Sequence, residues 1–110
     1  MKRISVIIPA LNEAESIAQV VREMPWDRIA ECIVVDNGST DGTGEIAAAA
    51  GARVVGSPRG YGAACKAGAD ASLATSDILL FMPVTRVFWG YRGTASTVAL
   101  ETYSSLLSFA

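Results

Sequence analysis

The sequence predicts an α/β fold: a three-layer, open parallel sheet with strand order 3-2-1-4 and helices on both faces. Three observations predict it. Strand-length apolar runs alternate with helical patterns three times and a fourth strand follows, the pattern of right-handed βαβ crossovers. The first run, Ile4-Ser5-Val6-Ile7-Ile8, is almost wholly apolar, as a strand covered on both faces should be. Two strands also end abruptly in polar, turn-forming residues. The first runs into Pro9-Ala10-Leu11-Asn12-Glu13, and the second into Asp36-Asn37-Gly38-Ser39-Thr40-Asp41-Gly42-Thr43. Open α/β sheets bind ligands at the carboxyl ends of their strands, where the strand order reverses. The site is therefore expected on the turns after strands one, two and four. Carboxylates on the first two turns predict a polar ligand that offers donors, such as a nucleobase and ribose.

Each element follows from local pattern. Strand one is Ile4 to Ile8. Asn12 is expected to cap the next helix, with Glu15 three residues on in the capping-box spacing. Ile17, Val20, Val21 and Met24 recur at helical spacing, and Pro25 stops the helix. Strand two is Glu31 to Val35. Ser39 or Thr40 is expected to cap a helix reaching Ala50, which Gly51 ends. Strand three is Arg53 to Val55, followed by a Gly56-Ser57-Pro58-Arg59-Gly60 loop. A helix from Tyr61 to Leu73 carries Ala63, Ala64, Ala67, Gly68 and Ala71, small residues that let it lie close on a sheet. Strand four is Ile78 to Met82.

Length and charge bound the function. A chain of 110 residues is one domain at most. A formal net charge of −2 gives no electrostatic footprint for nucleic acid, so no nucleic-acid partner is expected. Cys32 and Cys65 sit in strand and helix patterns and read as small buried hydrophobes rather than a disulfide framework. The absence of histidine removes the commonest general base at neutral pH. No signal peptide and no transmembrane segment are read, since the apolar runs fall far short of the roughly 20 residues a span requires. A cytoplasmic, reducing setting is the expectation.

The first two strand ends together resemble the start of the family 2 glycosyltransferases of the GT-A fold, a group that includes the dolichol-phosphate mannose synthases. The carrying residues are Ser5-Val6-Ile7-Ile8-Pro9-Ala10-Leu11-Asn12-Glu13 and Ile33-Val34-Val35 continued through Asp36 to Thr43. Arg59-Gly60-Tyr61-Gly62-Ala63-Ala64-Cys65-Lys66-Ala67-Gly68 resembles the start of the family's third helix, and Ser76-Asp77-Ile78-Leu79-Leu80-Phe81-Met82 the strand that leads to its metal site. The resemblance covers residues 3 to 82 and implies the Rossmann-like nucleotide-sugar-binding half of a GT-A domain over 1–82. It implies an inverting transfer of sugar from a UDP- or GDP-sugar to an acceptor. Phosphoglycerate and a polyprenyl phosphate at a membrane surface are the acceptors by resemblance.

The resemblance also assigns roles. Asp36 would accept from a uracil or guanine N–H or from ribose hydroxyls; capping the Asn37-Gly38 turn is the competing role. Pro9, Ala10 and Leu11 would offer backbone and a packing surface to the base. Glu13 holds either the nucleotide or its own loop. Asp41 is read as a helix-start carboxylate. Lys66 and Arg59 are the cations nearest a diphosphate, with a solvated helix face as the competing reading of Lys66. The Gly60-Tyr61-Gly62-Ala63-Ala64-Cys65 stretch mimics a dinucleotide fingerprint but follows the third strand instead of the first. That counts against a dehydrogenase-like domain, one rival reading. A non-catalytic nucleotide-binding module or decayed fragment is the other.

Catalytic parts are missing from the pattern. The family's divalent cation, Mg or Mn, is held by an Asp-x-Asp motif just after the fourth strand. Here Phe81-Met82 runs into Pro83-Val84-Thr85-Arg86, and no carboxylate occurs between Asp77 and Glu101. No metal ligand and no catalytic base is assigned. Composition shifts at the same point: residues 83–110 hold only Arg86, Arg92 and Glu101 of the twenty charged residues but five of the eight aromatics. This tail is expected to be irregular, the product of a frameshift or divergence, and the chain a truncated, inactive form.

Overall fold

The computed structural model describes residues 3–74, 76–82 and 84. The remainder of the 83–110 tail, with the expectations placed on it, lies outside the described residues. The elements are β1 (Ile4–Ala10), α1 (Ile17–Arg22), β2 (Glu31–Asp36), α2 (Thr43–Ala49), β3 (Arg53–Gly56), α3 (Tyr61–Ala71) and β4 (Ile78–Phe81). All ladders are parallel and the sheet order is β3-β2-β1-β4, the expected order.

Strand alternation divides the core between the two faces. Ile4, Val6, Ile8, Cys32 and Val34 point to one side and pack with Ile17, Val20, Val21 and Met24 of the α1 region and with Ala47 of α2. Ile7, Ile33 and Val35 point to the other side and meet Ala64 of α3. The central strands are sealed: Ile7, Ile8, Ile33, Val34 and Val35 have no exposed surface. Small residues set the distance of α3 from the sheet. A Cβ on Gly68 would lie 2.3 Å from Ile7 Cγ2 and 3.1 Å from Val35 Cγ2, so the helix closes on the sheet where a side chain is absent. On β4 the same face carries Leu79 and Phe81, which pair in register with Ser5 and Ile7 and are exposed.

Several local expectations are corrected. Asn12 does not cap α1, whose N-cap is Ser16; the capping-box reading fails because Asn12 turns toward the neighbouring loop, with φ of 52°. Ser39 and Thr40 do not cap α2, whose N-cap is Gly42; both bond Asn12 instead. Helix α3 ends at Ala71 instead of Leu73, where Ser72 turns to extended backbone. The end of α2 is as expected, with Gly51 at φ of 114°, a conformation that side chains resist. Cys32 is buried, and burial together with the nearby Glu31 charge pushes its thiol up to about 12. Cys65 is only partly buried, so one of the two cysteines departs from the expected core position.

A polar cluster ties the amino end of the sheet. The Glu31 carboxylate accepts from Ser5 Oγ at 2.7 Å, from the Leu73 N–H at 2.7 Å and from Arg53 at 3.3 Å. Arg53 also donates to the Ala71 carbonyl at 2.7 Å. One side chain thereby joins β1, β2, β3 and the end of α3. Burial acts to raise the Glu31 pKa, but the bonds from Leu73, Ser5 and Arg53 outweigh it and hold the carboxyl below its ordinary 4.5.

Candidate functional site

At the carboxyl end of the sheet, the turns after β1, β2 and β4 meet around a cavity of about 200 Å³. Its walls are Pro9, Ala10, Leu11, Glu13, Asn37, Tyr61 and Val84. It lies beside the point where strand order reverses, between β1 and β4. Four of the six residues expected to contact a nucleotide, Pro9, Ala10, Leu11 and Glu13, are brought together there.

The other two lie outside the lining. Asp36 ends β2, in register with Ala10 and Gly56. Its Oδ1 accepts from the Ser39 N–H at 2.8 Å, a local turn bond. Its Oδ2 faces α2 at Gly44, where an added Cβ would stand 3.0 Å away. Lys66 lies on an exposed face of α3, with Nζ 2.8 Å from Asp70 Oδ2. That bond and the Asp70 charge raise its pKa. Arg59 lies along the β2–α2 turn, its Nε 3.6 Å from where a Gly38 Cβ would be.

Three wall residues were not singled out from sequence. Asn37 follows Asp36, is nearly buried and accepts from Ser57 Oγ at 3.2 Å. Tyr61 is the first residue of α3 and is 60% exposed at the cavity rim. An aromatic set directly after Gly60 at the start of a helix is the signal that could have marked it. Val84 carries no such signal.

The two loops that build the site hold each other. The Asn12 N–H donates to Ser39 Oγ at 2.9 Å, and the Thr40 N–H returns a bond to Asn12 Oδ1 at 2.9 Å. The Glu13 N–H donates to Thr43 Oγ1 at 2.9 Å and the Ala14 N–H to Asp41 Oδ2 at 3.1 Å. The Thr43 hydroxyl donates in turn to Asp41 Oδ1, which also accepts from the Thr43 N–H at 3.1 Å. Asp41 is thus a helix-start carboxylate, as expected, and a cross-loop tie as well. The Thr43 hydroxyl holds its carboxyl below the ordinary 3.8, helped by the Ala14 and Thr43 amides.

A hard divalent cation requires oxygen ligands, preferably anionic. Among the described residues, no three His, Cys, Asp or Glu side chains are grouped to hold a metal. Met82 and Val84, which follow β4, are apolar. Asp77 lies at the opposite end of β4, where Oδ2 accepts from the Arg3 N–H. Of the residues that line the cavity, Glu13 alone carries a carboxylate. No helix among them is long and apolar enough to cross a membrane.

Comparison with known proteins defines the class. The profile of Glycosyl transferase family 2 matches residues 5–82. The chain belongs to this family, and its parallel sheet is the GT-A arrangement. It is 48% identical over 66 residues to an uncharacterized glycosyltransferase of Mycobacterium tuberculosis, across 59% of this chain and 29% of that protein. It is 46% identical over 57 residues to glucosyl-3-phosphoglycerate synthase of Mycolicibacterium smegmatis, across 49% of this chain and 19% of that protein. Among solved structures it superposes with TM-score 0.67 and 35% identity on the glucosyl-3-phosphoglycerate synthase of Mycobacterium tuberculosis. That superposition covers 74% of this chain and 33% of the enzyme, which was solved with Mn2+, UDP-glucose and phosphoglyceric acid. The chain spans less than a third of the length of the curated relatives it matches.

Proposed function

We propose that this chain forms the nucleotide-sugar half-site of a family 2 glycosyltransferase, with UDP as the nucleotide. The observation that carries this reading is the cavity itself. It sits at the strand-order reversal, and its walls come from the turns after β1, β2 and β4. The UDP-glucose bound by the solved relative favours uracil over guanine. In this reading Pro9, Ala10 and Leu11 pack against the base with the rim aromatic Tyr61. Asp36 accepts from the base N–H or the ribose, and Glu13, on the cavity wall, takes a ribose hydroxyl. Lys66, paired with Asp70 on the exposed face of α3, is the cation assigned to the diphosphate. Titration calorimetry with UDP, GDP and NAD tests the assignment. Binding of UDP alone is expected. A preference for GDP would transfer the reading to GDP-sugars, preference for NAD would replace it by a dehydrogenase-like one, and no binding would overturn it.

The full reaction in this lineage is transfer of the sugar to an acceptor, a phosphoglycerate-like small molecule in a cytoplasmic setting. We propose that the chain as given does not complete it, because the stretch from Ile78 to Leu100 offers no carboxylate for a cation. Incubation with UDP-glucose, Mn2+ and phosphoglycerate should give no turnover; turnover abolished by a chelator would refute this. We further propose that residues 83–110 are a frameshifted or divergent tail. The family match ends at Met82, where the composition changes. Translating the DNA beyond codon 82 in the other two frames should reveal an Asp-x-Asp segment in one of them. Early stops in both frames would refute the frameshift.

A further inference from the structure

We propose that Thr43 and Asp41 are positioning residues of the cavity: they fix its Leu11–Glu13 wall through the main chain without touching the ligand. The inference takes its ligand, UDP, from the function proposed above. Its structural part stands on the loop geometry alone.

Thr43 is a fully buried polar residue at the first position of α2 and does not line the cavity. Its hydroxyl has two partners, and they lie in different loops. The oxygen accepts from the Glu13 N–H, and the proton goes to Asp41 Oδ1. Asp41 then uses its second oxygen on the Ala14 N–H. Two consecutive amides of the first loop are thus held by two residues at the start of the second helix. Just before them, Asn12 sits at φ of 52°, a region sparsely occupied by residues other than glycine. Its conformation is maintained by the reciprocal bonds with Ser39 and Thr40. Leu11 and Glu13, on either side of this bend, both face the cavity. The wall that would meet the nucleotide is therefore shaped by residues that never reach it. Holding a binding loop in its bound shape in advance reduces the ordering cost of binding. Removing the tie should weaken binding without removing a ligand contact.

The test compares Thr43→Val, which keeps the shape and loses the hydroxyl, with Thr43→Ser, which keeps the hydroxyl. UDP affinity is measured by calorimetry, and amide hydrogen exchange at Glu13 and Ala14 is measured without nucleotide. Thr43→Val removes both bonds of the hydroxyl, and with the loop no longer held in advance UDP binding should weaken roughly five- to tenfold. It should also speed exchange at Glu13 and Ala14, and Thr43→Ser should restore both. If Thr43→Val does not fold, Asn12→Ala at the exposed loop removes the side-chain acceptor of Thr40, leaves the Asn12 N–H bond to Ser39 in place, and should weaken UDP in the same direction. UDP affinity within twofold of the parent chain in a folded variant, or unchanged exchange at Glu13 and Ala14, would overturn the inference. If the parent chain binds no UDP, the functional reading falls and the exchange data alone decide whether the wall is held in this way.

Discussion

The two ends of this sheet are tied by different chemistry. At the amino end, one carboxylate, Glu31, gathers Ser5, Arg53 and the Leu73 amide, joining β2 to β1, to β3 and to the segment that follows α3. At the carboxyl end, Asn12, Ser39, Asp41 and Thr43 spend their polar atoms on the main chain of the opposite loop. A cavity stays open beside them. In the first arrangement the carboxylate's bonds go to other parts of the chain. The second fixes a rim and leaves Leu11 and Tyr61 exposed on it. On the function proposed above, stability and recognition lie at opposite ends of the same four strands, and substitutions should separate them.

The largest separation is expected at Asp36. Replacing it with alanine removes a charged acceptor from the ligand end, which should weaken UDP binding by about 1.5–3 kcal/mol, roughly ten- to a hundredfold. The unfolding midpoint should fall much less, since the protein loses one turn bond, from the Ser39 amide. Calorimetry beside a denaturant melt checks both. A large stability loss with unchanged affinity would make Asp36 a turn residue and nothing more.

The converse is expected at Glu31 and Gly68. Glu31→Ala strands the Leu73 amide and takes one partner from the Ser5 hydroxyl, which keeps its bond to Ser76, at a cost of about 1–3 kcal/mol, with UDP affinity unchanged. Its charge also gives the amino end an acid limb. Because the folded pKa of Glu31 lies below 4.5, its contribution is complete above that value and is lost as pH falls through the lower folded pKa. Melts below about pH 5 should therefore be steeper in pH for the parent chain than for Glu31→Gln. Gly68→Ala forces a methyl against Ile7 and should cost about 1–3 kcal/mol by overpacking. An undiminished denaturation midpoint in either variant would contradict this division of the sheet.

The strands and their order were legible because apolar runs and turn residues are local signals. Ile4 to Ile8, Ile33 to Val35 and the small residues of α3 announce their own burial. The ties were not legible. Asn12 and Ser39 each carry a side chain suited to capping a helix nearby, and sequence spacing favours that use. The fold brings them within bonding distance across 27 residues, and the cross-loop bond prevails. Glu31 is similar: its partners lie 22, 26 and 42 residues away, so no window of sequence contains the cluster. Pro9, Ala10, Leu11 and Glu13 could be expected together because they close or directly follow the first strand, and the structure places all four on the cavity wall. Tyr61 and Val84 were missed because their approach to that strand end is a product of topology.

The smallest predicted effect sharpens the comparison within one helix. Gly62 and Gly68 both belong to α3, but only Gly68 is pressed on the sheet. An added Cβ on Gly62 meets nothing within 4 Å, and its φ is not in the left-handed region. Gly62→Ala should therefore stabilise the chain by about 0.4–1 kcal/mol, chiefly by narrowing the unfolded ensemble. The position is next to Tyr61 on the cavity rim, so the same variant asks whether the rim needs a pliable start to α3. If the ligand end is held rigidly by its loop ties, UDP affinity should stay within twofold of the parent chain as the melting midpoint rises. A gain in stability coupled to a clear loss of affinity would show that recognition depends on glycine freedom at the start of α3. The carboxyl end would then have to be described as partly mobile rather than fixed.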